Sequence, residues 1–555
     1  MRLKLAERPS RRSTAARRGG ALLWAALLVT ALPGCAGLGP LRARLDPDTR
    51  RPNPGVTLFV CDGVQADLLE QGCREGWLPN VQKRFVAGGL RIENAIAAYP
   101  AITYSVVGTF LSGATPARHG IIGNRWFDPQ QRRFRNYVTL KYYRAVNADF
   151  AAPTLYERIR PRPSGSIQEA LTRGVSDDIA NWAQSGVRWF FGSYTGVDAL
   201  TADTVDLVAR HANERGEWPT VLTCYFPGAD TVGHEHGPSS REYRRALENL
   251  DRQIGRVCDW LERQRLLETT HLILVSDHGQ MDVRPDGFVD LWHVIRKHWG
   301  RRPTDRMDQD DPFRRRKRYF ERFDTVVAYQ NGRLAILYFA GPNGWDERPT
   351  PAEVERILTG PPPAAHLWNL PGVDVVAYLT SEREVVLRSS RRQARIVMRD
   401  GPDGTEFAYV PAPDDVLGYL DDPDLAAFVA EGFHPSRSWL RATCTHEYPD
   451  LVPHLVPLLQ QPRAGQVLVC AAPKYSFVRE AGGHGAFRRA EMRVPFLLAG
   501  PGITPGTTLE CARAVDLVPT VLRLLGLPVP QDEWLEGEPL LPDIHARATA
   551  LNVPG

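Results

Sequence analysis

Neither sign of charge predominates in this chain: 68 Lys and Arg stand against 64 Asp and Glu, a formal net charge of +4 over 555 residues. A surface built to neutralise nucleic-acid phosphates needs a basic face or stripe, so nothing here points to one. Long apolar runs are missing as well. A membrane-spanning helix needs about 20 consecutive apolar residues, and the one apolar stretch of note, residues 21–32, falls short. No internal repeat and no long low-complexity segment occur, which excludes stacked-repeat architectures and extended linkers. Cysteine is sparse: besides Cys35 there are Cys61, Cys73, Cys224, Cys258, Cys444, Cys470 and Cys511. Cys224 and Cys470 lie in strand-like runs, so buried thiols and disulfides both stay open for an exported chain.

What is present begins at the N-terminus. Arg2, Lys4, Arg8, Arg11, Arg12, Arg17 and Arg18 precede the apolar stretch, and Gly34, Cys35 and Ala36 follow it. Basic, apolar and small in that order is a secretory signal. The run L-P-G-C looks like a lipobox, although Pro33 is not its favoured residue. Two readings stand: a lipid anchor at Cys35, placing the protein on the periplasmic side or surface of a bacterial envelope, and a cleaved signal or single membrane anchor.

Short, branched, nearly continuous apolar runs occur at residues 56–60 (VTLFV), 221–226 (VLTCYF), 271–275 (HLILV), 466–471 (QVLVCA) and 494–499 (VPFLLA). Such runs are expected of buried parallel strands. Between them, residues 241–265 place Tyr243, Leu247, Leu250, Ile254, Val257 and Leu261 at helical spacing. The alternation predicts an α/β fold, an open sheet with helices on both faces, and such sheets bind ligands outside the carboxyl ends of their strands. Composition shifts between 296 and 450, where the run 314–318 (RRRKR) and Pro361 to Pro363 fall. We read the chain as signal and lipobox (1–35), linker (36–53), first core part (54–295), insertion or cap (296–450), second core part (451–530) and tail (531–555). The basic run reads as a solvated loop, with anionic lipid headgroups or surface polysaccharide as the alternative partners.

Metal-binding side chains sit just past these runs. Asp62 and Gly63 follow the first, and by itself Asp-Gly is usually only a turn. In residues 226–238 (FPGADTVGHEHGP), Asp230 and His234 are four apart, on one side of a helical turn, while the offset of His236 points it away. Asp277 and His278 are adjacent in VSDHG, and His484 lies in GGHG. Carboxylate and imidazole suit zinc, and a hydroxyl between two zinc ions is a nucleophile, which points to phosphoryl transfer. Thr103 opens an apparent helix, TYSVVGTFL, so a phosphate there meets free backbone N–H groups and the positive end of the helix dipole; an N-cap role is compatible with this.

Taken together, C-D-G at Asp62, Y-P-A-I-T at Thr103, A-R-H-G-I-I-G-N-R-W-F-D-P at residues 117–129, G-A-D-T-V-G-H-E-H-G-P from Gly228, S-D-H-G at Asp277 and G-G-H-G at His484 resemble the alkaline phosphatase superfamily, in its nucleotide pyrophosphatase/phosphodiesterase branch. The resemblance covers about 54–525 without the insertion. It implies an alkaline-phosphatase-like core with a mostly parallel sheet between helices, and a di-zinc site. Asp230, His234 and His484 would hold one ion and Asp62, Asp277 and His278 the other, with Thr103 between them, attacking in line to form a phosphothreonine that water hydrolyses.

The chain departs from its relatives where they commonly carry an Asn three residues after the nucleophile, for here stand Val106 and Val107. Losing one such donor is worth about 3 kcal/mol, unless Ser105, Asn124 or a group from the insertion replaces it. Tyr104 and Tyr225 match positions where nucleotide-cleaving relatives hold a base between rings; packing without ligand contact is the plainer reading. The expected activity is hydrolysis of phosphodiesters or nucleotide phosphoanhydrides, with a monoesterase, a phosphotransferase on the same residues and a non-catalytic metal-binding relative as alternatives. A sulfatase would need a C/S-x-P-x-R context, which Thr103 to Val107 lack.

Overall fold

The computed structural model describes residues 39–541, apart from 140, 306–311, 391, 403 and 412–413. Cys35, the signal sequence and the end of the tail lie outside the described residues. Two nine-stranded sheets carry the fold. In the first, Gly55–Cys61 lies between Val221–Phe226 and Thr270–Val275 and is parallel to both. Its residues alternate between faces, as pleating requires. Leu58 and Val60 join one buried cluster with Val106, Val107 and Phe110 of the Thr103–Ser112 helix, while Phe59 and Cys61 join another with Leu247, Ile254 and Val257 of the Arg241–Arg263 helix. Apolar residues on both faces are why the run is continuous rather than alternating. Each such side chain contributes roughly 1.5–3 kcal/mol by burial.

The register decides where the sheet's chemistry falls. Val60 pairs with Tyr225 on one side and Val275 on the other, and Cys61 with Phe226. Three strands therefore end level, and the residues that follow them, Asp62, the Gly228–His236 helix and Ser276 to His278, emerge at one edge. The Arg241–Arg263 helix buries all six apolar residues expected of it and is capped by Ser240, whose hydroxyl accepts from Tyr243 N–H at 3.1 Å.

Two strand readings need correction. Residues 466–471 do not join the core sheet. Val467–Ala471 sits inside the second sheet, antiparallel to Leu334–Phe339 and Val373–Ser381. A central antiparallel strand covered on both faces is as apolar as a parallel one, so the run does not reveal direction. For the same reason Phe496–Ala499, although in the first sheet, runs antiparallel to Thr270–Val275. The second sheet thus spans Pro303 to Ala471. The basic run is also not a loop: it lies in the Phe313–Phe320 helix, with Arg316 buried. The cysteines from Cys61 to Cys511 are free thiols, and all but Cys511 are buried.

Arg333, fully buried, ties the second sheet to the first. Its Nε donates to Glu491 Oε1 at 2.9 Å, and its other donors reach the carbonyls of Ala471, Ala472 and Tyr475. Glu491 is equally buried and also accepts from Ala486 N–H at 3.1 Å. Removing one partner of such a pair leaves an uncompensated charge in low dielectric. Glu491→Ala is expected to lower unfolding free energy by roughly 3–5 kcal/mol in urea titrations, and a loss below about 1 kcal/mol, the value of an exposed pair, would show the pair to be idle.

Candidate metal centre

Asp62 leaves its strand with its N–H still bonded to Phe226 O at 2.9 Å. Gly63 then turns at φ 67°, and a β-carbon there would stand 2.8 Å from Asp230, so both backbone and space require glycine. The freed Gly63 N–H donates to Asp277 Oδ1 at 3.1 Å. On the Gly228–His236 helix, Asp230 Oδ1 and His234 Nε2 lie 3.3 Å apart. Asp277 and His278 follow a sharp bend held by Ser276, whose hydroxyl donates to His278 O at 2.9 Å.

These groups converge. His278 Nε2 is 3.2 Å from Asp62 Oδ1 and 3.3 Å from Asp277 Oδ2, while Asp230 Oδ1 is 3.6 Å from His484 Nε2 and 4.0 Å from His278 Nε2. The His278 and His484 rings stack with centroids 3.3 Å apart. Thr103 Oγ1 lies 3.4 Å from His278 Nε2. Every imidazole is aimed the same way. Nδ1–H of His234, His278 and His484 donates to the carbonyls of Gly482, Gly279 and Ala101 at 3.0, 3.0 and 2.9 Å. That leaves each Nε2 lone pair facing the carboxylates, as metal-binding histidines are held. His236, which sequence reasoning set aside, is half-exposed and points toward Glu235.

Electrostatics argue for cations. Burial, then Asp277 and Asp230, push the Asp62 carboxyl well above the usual range. Burial alone would draw His278 down, but Asp277 and Asp62 raise it to about 9. Burial likewise opposes ionisation of Asp230, and His234 and the other imidazoles overcome it, holding Asp230 below the ordinary value. Asp62 Oδ1 and Asp277 Oδ2 are buried without a hydrogen bond. Asp62, Asp277 and His278 offer one convergent set of ligand atoms and Asp230, His278 and His484 another, each within 4.8 Å. Buried carboxylate oxygens left unbonded beside imidazoles that their charge draws toward protonation fit divalent metal ions, which would take the place of those protons on Nε2.

Residues 56–486 match the family described as Type I phosphodiesterase / nucleotide pyrophosphatase. The chain belongs to this family. Among its relatives, a venom phosphodiesterase of Macrovipera lebetinus is 29% identical over 238 residues, 41% of this chain and 26% of that protein. Ectonucleotide pyrophosphatase/phosphodiesterase family member 1 of Homo sapiens is 26% identical over 235 residues, 41% of this chain and 23% of the relative. The match thus spans about a quarter of the length of these curated relatives. In fold, the chain is similar to murine ectonucleotide pyrophosphatase / phosphodiesterase 5, at TM-score 0.52 and 15% identity over 86% of this chain and 97% of that one.

Around the ligands, this phosphodiesterase-family chain arranges groups that its motifs did not all announce. Val106 and Val107 lie in the core. Beside Thr103 stands Asn124 instead, its Oδ1 accepting from Tyr104 N–H at 3.1 Å. Ser105 is fully buried, and its hydroxyl takes no hydrogen bond. Tyr104 leans on Tyr137, ring centroids 5.1 Å apart, and donates to Tyr137 O at 3.2 Å. The Tyr225 hydroxyl donates to Asp62 Oδ2. Three further residues were missed. Glu480 Oε2 lies 3.0 Å from His234 Nδ1 and is itself held by the Ser476 hydroxyl. Gln280 donates to Asp230 Oδ1 at 2.6 Å. Asn331 lies 2.5 Å from His484 Nε2. For Glu480 and Gln280 the sequence carries no signal; Asn331-Gly332 is a turn dipeptide between apolar runs, and so was visible as a hairpin.

Replacing His234 or His278 by Ala is expected to lower the divalent metal bound per chain, measured by plasma emission, with far-UV circular dichroism unchanged. Unaltered metal in both variants would remove them from the ligand set. Glu480→Gln should weaken metal affinity by roughly 10–100-fold, the usual effect of losing a carboxylate behind a histidine ligand.

Proposed function

We propose that this chain is an exported zinc-dependent hydrolase of phosphodiesters or nucleotide phosphoanhydrides that acts through a phosphothreonine at Thr103. The observation that carries the reading is the convergence of three carboxylates and three imidazole Nε2 atoms on one centre, with the Thr103 hydroxyl at the start of a helix 3.4 Å from His278 Nε2. Asp230, His234 and His484 would hold one zinc ion and Asp62, Asp277 and His278 a second. Together the ions would supply Lewis acidity to the phosphoryl group and lower the pKa of hydroxyls beside them.

The chain's own groups do the rest. Thr103 Oγ1 attacks phosphorus in line and the ester or anhydride oxygen leaves on the far side. Water then attacks the phosphothreonine and the Thr103 hydroxyl is restored. The N-terminus of the Thr103–Ser112 helix would face the transferred group, its Tyr104 N–H already held by Asn124 Oδ1, and the amide nitrogen of Asn124 stands beside it as a donor. Tyr104 and Tyr225, beside Thr103 and Asp62, would offer apolar rings that suit the second substituent of a diester or a nucleoside. Ser105 completes the proposed substrate-binding set. A neutral donor suits a group that already has one oxygen esterified, so diesters are favoured over monoesters. The basic and apolar N-terminal sequence ending at Cys35 supports export to the bacterial envelope, with Cys35 as a lipid anchor.

Thr103→Ala is expected to abolish turnover of bis(p-nitrophenyl) phosphate while zinc content persists, and Thr103→Ser to retain part of it. Full activity in the alanine variant would exclude the covalent route. For matched aryl substrates, kcat/KM should be higher for the diester than the monoester; the reverse order would replace this reading with a monoesterase. Tyr225→Ala should weaken nucleotide substrates more than aryl ones if a base stacks there.

A further inference from the structure

Asn331 lies at the tip of the hairpin joining Thr325–Gln330 to Leu334–Phe339, in the second sheet, yet it reaches the metal centre of the first. The tip is fixed from several directions. His484 N–H donates to Asn331 O at 3.0 Å and Arg333 N–H to His484 O at 3.3 Å. Asn331 holds φ 41°, a left-handed conformation that Asn tolerates better than most residues. Gly332 follows at φ 84°, where a β-carbon would collide with the Glu480 carboxylate. The buried Arg333–Glu491 pair lies immediately behind.

The hydrogen-bond directions follow from the backbone groups at the two ends of the network. Ala101 O only accepts, so His484 Nδ1 carries the proton and its Nε2 is bare. The Asn331 atom 2.5 Å from that nitrogen is therefore the NH2 group. At the other end, Tyr104 N–H only donates, so it faces Asn124 Oδ1 at 3.1 Å, which turns Asn124 Nδ2 toward Asn331 Oδ1 at 3.3 Å. Two amides thus bridge the first turn of the Thr103 helix and the His484 imidazole, which stacks on the His278 ring that faces the Thr103 hydroxyl, and each NH2 keeps a second N–H beyond the one this chain of contacts uses.

We propose that Asn331 is a second amide donor to the phosphoryl group at Thr103, acting with Asn124 and delivered by the second sheet. This rests on the phosphodiesterase reading above. Once His484 Nε2 gives its lone pair to a metal ion, it no longer accepts from Asn331. A phosphoryl oxygen held between the metal and Thr103 is the acceptor that replaces it. Asn124 keeps its carbonyl on Tyr104 N–H, so it offers a donor from the helix side while Asn331 offers one from the His484 side.

The test uses the full chain loaded with zinc and compares Asn331→Gly, which keeps the left-handed backbone accessible and removes the amide, with Asn331→Asp, which keeps the shape and replaces the donor by an acceptor. Orthovanadate binding by calorimetry reads the donor without turnover; its dissociation constant should rise roughly a hundredfold in the glycine variant and further in the aspartate variant, with kcat for bis(p-nitrophenyl) phosphate falling by a similar factor and KM little changed. Zinc content and urea midpoint should match the unaltered chain. Vanadate affinity within about twofold in both variants would overturn the proposal, and so would loss of zinc in parallel with affinity, which would make Asn331 a metal ligand or a purely structural turn. If the unaltered chain binds vanadate but hydrolyses no diester, the phosphodiesterase reading fails; the vanadate comparison still decides the role of Asn331.

Discussion

Mutual repulsion of three gathered carboxylates, two of them buried and the third, Asp230, partly so, is the constraint on which this structure turns. Two unit charges about 5 Å apart repel by roughly 3 kcal/mol at an effective dielectric near 20. Asp62, Asp230 and Asp277 are brought together by strands that end level, and no Lys or Arg forms an ion pair with them among the described residues. A sheet that only needed to be stable would not gather them. The surrounding details follow from satisfying them with cations and imidazoles. Gly63 lets the backbone pass between Asp62 and Asp230, backbone carbonyls turn each imidazole so that Nε2 faces inward, and Glu480 braces the histidine with the most exposed side chain of the three.

The second sheet is part of this arrangement rather than a cover laid over it. Val467–Ala471 belongs to it, and the segment that leaves that strand supplies first Ser476 and Glu480 and then His484. One passage of chain therefore carries both a candidate ligand, His484, and the carboxylate that orients another, His234. The Arg333–Glu491 pair closes the same region from behind, joining the hairpin that bears Asn331 to the short helix after His484. Movement of the second sheet relative to the first would misplace His484 and Asn331 together.

How much of this was legible in the sequence depends on how far each residue lies from a strong local pattern. Asp62 and Asp277 were visible because each follows a continuous apolar strand, and Asp230 with His234 because a four-residue offset on a helix brings two side chains to one side. The fold class was legible for the same reason. His484, two glycines before it and one after, has no local pattern of its own and was found through the resemblance of all the segments together. Strand direction was not legible: residues 466–471 and 494–499 are as apolar as parallel strands, and only pairing with sequence-distant neighbours makes them antiparallel. For the Asn absent at Val106, which packs into the core, the sequence offered Ser105, Asn124 or a group from the insertion but could not choose among them. Asn124, from a loop, and Asn331, from a hairpin of the second sheet, stand beside the start of the Thr103 helix and His484, a juxtaposition that no spacing rule reaches.

Tyr225 is tied to the candidate metal centre through the strand that carries it. Its position is set by Val60 in the neighbouring strand, two residues short of Asp62 and on the same face of the sheet. Its hydroxyl consequently meets Asp62, and burial together with the negative charge of Asp62 keeps the phenol protonated and donating. A ring held at its hydroxyl by Asp62 has little freedom to choose its angle. Under the proposed reading, a flat leaving group stacked on Tyr225 would take a direction fixed by Asp62, so that substrate orientation and the geometry of the carboxylate cluster could not be varied independently.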